Sequence, residues 1–186
     1  MTLPEILKSK TVARSRLFSI ETLDIEFSNG VRRTYERLPA RSRQAVIVVG
    51  ITDHQEVVLV REYLAGLHRY ELGLPKGTVD GKDESFEEAA NRELKEEAGF
   101  GATRIDYLRE VSIAPSHMGF TVHVMLARGL FPERLQGDEP ERPDVVTWPL
   151  ETIDDLFFSS EISEARSMAA IRIAQLHMAA ETRRAR

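Results

Sequence analysis

Gly77-Thr78-Val79-Asp80-Gly81-Lys82-Asp83-Glu84-Ser85-Phe86-Glu87-Glu88-Ala89-Ala90-Asn91-Arg92-Glu93-Leu94-Lys95-Glu96-Glu97-Ala98-Gly99-Phe100 is the segment around which the rest of this sequence is organised. Ser85 can cap a helix, Glu88 stands three residues on at the capping-box spacing, and Gly99 and Gly101 stand where a helix stops, so the spacing predicts a helix over Phe86 to Ala98. At roughly 100° per residue, Phe86, Ala89, Ala90, Leu94 and Ala98 share one apolar side. Glu93 and Glu97 fall on that same side and Glu96 on its edge, while Glu88, Asn91, Arg92 and Lys95 are expected to face solvent. An ionised carboxylate buried without a partner costs several kcal/mol, so two on an inward stripe need compensation. A divalent cation supplies it, and hard carboxylate oxygens suit Mg²⁺ or Mn²⁺ over a soft metal. The bland alternative is a solvated Glu-rich helix paired through Arg92 and Lys95.

Outward from this helix the pattern is mostly strands. Leu17 to Leu38 alternates loosely around Ser28-Asn29-Gly30, a hairpin signal, because Asn-Gly accepts the positive φ of a tight turn. Ala45 to Ile51 and Glu56 to Leu64 are β-rich runs separated by a polar turn and are expected to be adjacent core strands. Tyr70 to Leu74 predicts a short strand, and Pro75-Lys76-Gly77 a loop. Further strands are expected at Ile105 to Ile113, Thr121 to Ala127 and Val145 to Pro149, with an acid-rich loop at Pro132 to Pro143. A second helix is expected from Ser163 to Thr182, burying Ile162, Ala165, Ala169, Ile173, Leu176 and Ala180.

The chain has 186 residues, 42% hydrophobic, which suffices for one buried core; the expected organisation is an N-terminal β arm over 1–40 and one domain over 41–186. The net charge of −5 disfavours a nucleic-acid binder, which needs an excess of Lys and Arg, and points to small-molecule partners. There is no cysteine, hence no disulfide or thiolate metal site. No run approaches the roughly 20 apolar residues of a membrane span, and the N-terminus carries no signal-peptide core, so a cytoplasmic location without membrane contact is expected.

Gly77, Glu84 and Arg92-Glu93-Leu94-Lys95-Glu96-Glu97-Ala98-Gly99-Phe100 closely resemble the Nudix box, with every fixed residue type present. One spacing departs from the pattern: six residues, Thr78 to Asp83, separate Gly77 from Glu84 where the family has five, as if one residue were inserted near Gly81-Lys82-Asp83. Phe27 to Arg33, Arg61-Glu62-Tyr63, Tyr70-Glu71-Leu72-Gly73 and Gly137 to Glu141 resemble the ADP-compound hydrolase and ADP-ribose pyrophosphatase group of that family. The resemblance implies an α/β fold, the Nudix α/β/α sandwich on a mixed sheet, with the N-terminal antiparallel hairpin used in a homodimer.

It also implies roles. Glu93, Glu96 and Glu97, with the Gly77 carbonyl, would hold Mg²⁺, for which Mn²⁺ could substitute. Glu84, Arg92 and Gly99 would support the motif. Arg61, Lys76, Arg41 and Arg43 are candidate substrate contacts. The base that takes a proton from the attacking water is sought among Glu93 or Glu96 of the motif and Glu139 or Glu141 of the loop, the loop pair being favoured because related ADP-ribose enzymes use a loop Glu; a carboxylate with a raised pKa does this well. The expected activity is hydrolysis of the pyrophosphate link of ADP-ribose, short diadenosine polyphosphates or NADH, releasing AMP. A nucleotide-sensing module that has lost catalysis, and a Nudix enzyme for triphosphates or capped RNA ends, are the competing readings. His117 and Trp148 are expected to be a loop histidine and a core residue.

Overall fold

The computed structural model describes residues 2–40, 44–81, 84–137 and 139–184. Arg41 and Arg43, both candidate substrate contacts, lie outside the described residues, as do Lys82 and Asp83 of the lengthened loop. The chain divides into two compact units, Met1–Ser42 with Ser112–Thr121, and Arg43–Val111 with Val122–Arg186.

In the first unit β1 (Glu5–Arg14), β2 (Ser19–Glu26) and β3 (Arg32–Arg37) form an antiparallel sheet in the order β1-β2-β3. The β2–β3 hairpin matches the expectation: Gly30 takes φ +78, and Gly30 N–H donates to Phe27 O at 2.8 Å. β1 was not foreseen. All ten of its residues are exposed, so it carries no alternation of buried and solvated positions to betray it. His117 belongs to this unit and is exposed, its carbonyl accepting Leu38 N–H at 2.8 Å, in keeping with an ordinary loop histidine.

The second unit is built on a seven-stranded mixed sheet. Its strands are β4 (Ala45–Ile51), β5 (Glu56–Leu64), β6 (Arg69–Gly73), β7 (Lys76–Thr78), β8 (Phe100–Ser112), β9 (Thr121–Pro132) and β10 (Asp144–Pro149). The order is β10-β5-β4-β9-β8, with β6 on β5 and β7 on β4; β4 and β9 run parallel. The central strands alternate between two buried layers. Ile47, Val49, Ile51, Val57, Leu59, Val124 and Leu126 face one core, which is closed by α2 (Ile153–Phe157) and α3 (Ala165–Arg184). Val46, Val48, Val58, Val60, Met125 and Ala127 face the other, closed by α1 (Phe86–Glu93) and the turn that follows it. Both faces of the sheet are thus covered by helices, the α/β/α sandwich, and β4 and the Val57-Val58-Leu59-Val60 stretch of β5 are apolar because both of their faces are buried.

Several local expectations needed correction. Lys76-Gly77 is strand and not loop, because its backbone pairs with Val46 and Ile47 of β4. The short α2 and the 3₁₀ turn Leu150–Thr152 before it were missed, being too brief for periodicity to register. Of the expected second-helix face, Ile162 is buried and Ile173 packs against the core, but Leu176 is 61% exposed, Ala165 and Ala169 are exposed, and the buried residues of α3 are Ser167, Ala170, Ile171 and Ala174. Small residues won this face because they admit close approach of the helix, and Ser167 Oγ accepts Leu74 N–H at 3.0 Å from the end of β6. Trp148 is half-buried against the core beside α2 and α3, and its Nε1 donates to Thr152 O at 3.1 Å. Among the described residues no helix is long and apolar enough to cross a membrane.

Candidate active site

The helix that carries the glutamates begins as the sequence predicts. Ser85 Oγ accepts Glu88 N–H at 3.1 Å and Glu88 Oε2 accepts Ser85 N–H at 2.8 Å, a complete capping box. It also ends where predicted, at Ala98 with Gly99 at φ +77, but its last turn differs: the α-helical geometry stops at Glu93, and Leu94–Ala98 forms one π turn in which Gly99 N–H donates to Leu94 O. Wider π turns inside helices concentrate at functional sites. This one carries Glu96 and Glu97 and buries Leu94 and Ala98 against the sheet. Sequence spacing cannot separate it from an α turn, because the local residue types suit both.

Glu93 and Glu97 are only 7% and 5% exposed, as the apolar stripe required. Glu97 receives Lys76 N–H at 3.3 Å from β7. Glu93 fills the space over Gly77, where any Cβ would overlap its carboxylate and force it to move, so glycine here lets the carboxylate lie against β7. Burial pushes Glu93 up to about 7 and Glu97 up to about 8, in each case outweighing a cation that pulls the other way, Arg92 for Glu93 and Lys76 for Glu97.

Helical phase put Arg92 on the solvated face, whereas the family resemblance gave it a motif carboxylate to orient; it is 23% exposed and inside the cluster. Its Nε donates to Glu84 at 2.9 Å, its Nη1 to Glu93 at 2.8 Å and to Glu96 at 3.0 Å, and its Nη2 to Thr78 O at 2.8 Å. The planar fork suits this role, since it meets several carboxylates at fixed angles. Glu84 is held below its ordinary value chiefly by that Arg92 bond, and also receives Asp80 N–H across the lengthened loop. The extra residue therefore leaves the Glu84–Arg92 contact intact. Asn91 and Lys95, also expected to be solvated, are half-buried; Asn91 Oδ1 accepts Ala102 N–H at 3.0 Å and Lys95 pairs with Glu133 at 2.9 Å.

These groups line a cleft of about 600 Å³ together with Asp80, Gln136, Gly137 and Glu139. Its lining brings five carboxylates, those of Asp80, Glu93, Glu96, Glu97 and Glu139, against two cations, Lys76 and Arg92. Among the described residues no three acidic or histidine side chains close round one point, and Arg92 lies between Glu93 and Glu96. The donor chemistry nonetheless fits a hard divalent cation: oxygen ligands only, an excess of negative charge, and two buried carboxylates whose ionisation lacks sufficient compensation.

The two loop acids are treated differently by the fold. The Glu139 carboxylate lies over Gly137, whose Cα in turn faces Glu96, so Glu139 joins the cleft. Glu141 lines a neighbouring recess of about 840 Å³ and accepts Tyr70 OH at 2.8 Å. Arg61 and Arg142 line that recess with Tyr63, His68 and Tyr70, and Glu139 borders both cavities. Arg61 is bonded to Glu161 at 2.6 Å, and Lys76 forms an ion pair with Glu62.

Sequence reasoning overlooked Asp80, Gln136, Tyr63, Tyr70, His68 and Arg142 as cavity residues. Tyr63 and Tyr70 lie within segments that carry the family resemblance, Gln136 and Arg142 lie beside one and Asp80 lies in the motif loop, but no spacing rule joins residues 61–70 to residues 139–144. That link is made by β5, which pairs with both β6 and β10. Glu71, also quoted there, is structural. Burial pushes its carboxyl up, and bonds from Ser163 and Arg69 outweigh burial and leave it below its ordinary value, tying β6 to the approach of α3.

Comparison with known proteins agrees with this architecture. Residues 4–37 match the model of the NudE-type Nudix hydrolase N-terminal domain, and residues 41–175 match that of the NUDIX domain. The chain is 49% identical to the ADP compounds hydrolase NudE of Escherichia coli (strain K12), over 90% of this chain and 89% of that one. It is 30% identical to an ADP-ribose pyrophosphatase of Bacillus subtilis (strain 168), covering 96% and 98% of the two chains. A crystal structure of an ADP compounds hydrolase superposes with a TM-score of 0.90 at 46% identity, covering 97% of each chain. Nudix hydrolases in general require a divalent metal. With the complete motif, the sandwich fold and these matches, the chain belongs to the Nudix hydrolase family.

Proposed function

We propose that this enzyme hydrolyses the pyrophosphate link of ADP-containing compounds, namely ADP-ribose, short diadenosine polyphosphates and NADH, releasing AMP with Mg²⁺ as cofactor and Mn²⁺ as a possible substitute. The observation that carries this is the cleft in which Glu93, Glu96 and Glu97 lie beside Glu139, next to a recess lined by Arg61 and aromatic rings. The names of the relatives above support the choice of substrate.

Glu93, Glu97 and Glu96, with the Gly77 carbonyl, would hold the ion. When bound, it supplies positive charge for the pyrophosphate oxygens and acidity for the attacking water. Arg92 keeps Glu93 and Glu96 oriented, and Glu84 and Gly99 hold Arg92 and the end of the π turn. Lys76 at the cleft and Arg61 at the recess contact the phosphates, as would Arg41 and Arg43. Of the candidate bases, Glu139 accepts the water proton, since it stands in the cleft beside Glu96, while Glu141 is engaged by Tyr70.

The test is a hydrolysis panel with and without Mg²⁺, including a nucleoside triphosphate and the Glu139→Gln variant. AMP release is expected from the ADP compounds only with metal, with kcat of the variant about 10² to 10³ lower. Faster turnover of the triphosphate would overturn the substrate assignment, and an unchanged kcat in the variant would remove Glu139 from the chemistry.

Residues 1–40 are further proposed as a dimerisation arm attached to a hydrolase domain over 41–186. The three-stranded sheet leaves Ile6, Leu7, Val12, Ile20 and Tyr35 exposed, an apolar surface suited to a second copy of itself. Sedimentation is expected to give the mass of two chains, and to give one after Ile6→Lys with Val12→Lys; a monomeric wild type rejects the arm's role.

A further inference from the structure

The segment between β9 and β10 is fastened at both ends, and the two fastenings differ. At the near end it is stitched to the π turn: Glu133 N–H donates to Gly99 O at 3.1 Å, Leu135 N–H to Lys95 O at 3.3 Å, and Arg134 Nη1 to Glu96 O at 3.2 Å. Next comes Gly137, the most permissive joint a backbone can have. The near stitch therefore cannot by itself orient the residues beyond that joint. At the far end the Tyr70 hydroxyl donates to Glu141 Oε2 at 2.8 Å.

The sequence between these points matters. In Glu139-Pro140-Glu141 the proline ring sets its own φ and confines the preceding residue, Glu139, to extended backbone. The backbone between the two glutamates is thereby confined at Glu139 and Pro140. Holding Glu141 therefore narrows the positions open to Glu139, whose carboxylate lies over Gly137 beside Glu96. Tyr70 is itself well placed as an anchor: it projects from β6, which pairs with β5 residue by residue, and its ring packs at 5.6 Å from Tyr63, whose hydroxyl is bonded to His68 Nδ1 at 2.6 Å. Yet Tyr70 is 54% exposed, so its hydroxyl is not needed to fill the core.

We propose that Tyr70 is a positioning residue of the reaction, holding Glu139 over the glutamate cluster by gripping Glu141 through its hydroxyl. The proposal rests on the reading of Glu139 as proton acceptor. It also separates the two loop acids by role: Glu139 meets the attacking water and Glu141 is the handle.

The test uses the full chain with Mg²⁺ and ADP-ribose, comparing Tyr70→Phe, Glu141→Ala, Glu141→Gln, the double variant Tyr70→Phe/Glu141→Ala, and Glu139→Gln. Displacing a reacting group by about 1 Å can cost about 10²-fold, so Tyr70→Phe and Glu141→Ala are each expected to lower kcat by about 10- to 100-fold. KM, the melting temperature and Mn²⁺ affinity measured by electron paramagnetic resonance should stay as in the wild type. The double variant should be no slower than the slower single one, since both remove the same bond. Glu141→Gln keeps an acceptor oxygen for the hydroxyl and should recover most of the rate lost in Glu141→Ala. A Tyr70→Phe enzyme within twofold of wild-type kcat, alongside a slow Glu139→Gln, overturns the positioning role and leaves the base assignment standing. Full activity in Glu139→Gln overturns both. A raised KM at unchanged kcat also overturns the proposal, because Tyr70 would then be touching substrate in the Arg61 recess.

Discussion

Glu97→Gln is expected to lose turnover and, in the absence of metal, to melt at a higher temperature than the wild type. Two consequences of one burial produce this opposition. The carboxylate is 5% exposed and is pushed up by burial to about 8, from an ordinary value of 4.5, with Lys76 only partly offsetting the cost. Because the folded value is the higher one, the folded state holds a proton that the unfolded state releases between those two values. The Glu97 contribution to stability therefore falls as pH rises from about 4.5 to about 8, and the ionised form is the strained one.

A glutamine is close in shape to the protonated acid and carries no charge at any pH, so it removes a penalty on the order of a few kcal/mol above pH 8. It also removes a ligand oxygen charge, and charge stabilisation of several kcal/mol at the reacting phosphate corresponds to a kcat about 10² to 10³ lower. Melting curves in chelator at pH 6 and pH 9, with AMP release in Mg²⁺, check both halves. The wild type should lose stability between those pH values and regain it on adding Mg²⁺, whereas the variant should respond less to both, keeping only the part of the pH dependence that comes from Glu93, itself pushed up to about 7. Full turnover in the variant, or a lower melting point than wild type at pH 9 without metal, would show that Glu97 is neither strained nor needed.

Arg92→Ala is expected to be the most damaging single change to stability within the motif. The guanidinium serves Glu84, Glu93, Glu96 and the Thr78 carbonyl at once. Its removal leaves Glu93 buried with no cation beside it, and breaking a buried pair by deleting one partner costs about 3 kcal/mol or more. For a chain of this size that is a fall of about 10 °C in melting temperature. Arg92→Lys should fall between, since an ammonium retains the charge but cannot present a planar fork to three carboxylates.

The deficit of Arg92→Ala should shrink as pH is lowered. Glu93, already pushed up to about 7 by burial with Arg92 opposing, rises further once Arg92 is gone and is readily neutralised. Thermal melts at pH 5 and pH 8 measure this, and a variant that melts with the wild type at pH 8 would mean that water or Lys76 replaces the guanidinium without cost.

These two residues also mark how far local pattern reaches. Glu97 was legible because a charged residue on an apolar stripe contradicts the rule by which the stripe forms, and the contradiction points to a ligand. Arg92 was misplaced by the same rule. Helical phase assigned it to solvent, but its side chain is long enough to turn back across the motif to Glu84, which sits before the helix begins. Phase likewise misjudged part of the face expected for the second helix: Ile162 and Ile173 reach the core as expected, but Ala165, Ala169 and Leu176 turn outward and the sheet takes Ser167, Ala170, Ile171 and Ala174 of α3 instead.

Spacing along the chain was sufficient for the capped helix, the Asn-Gly hairpin, β4 and β5 as adjacent core strands, and the inward placement of Glu93 and Glu97. Each of these depends on residues within a few positions of one another, where helix and strand periodicity are the governing forces. The glutamate-bearing helix on which the sequence first turned ends in a π turn, and its two buried acids are housed by Gly77 and Lys76 of β7, a strand that exists because β4 offers it hydrogen bonds. The different surroundings of Glu139 and Glu141 come from farther still. They depend on β5 bringing β6 and β10 to either side of itself, so that Tyr70 meets a residue 71 positions away, and no local propensity encodes that meeting.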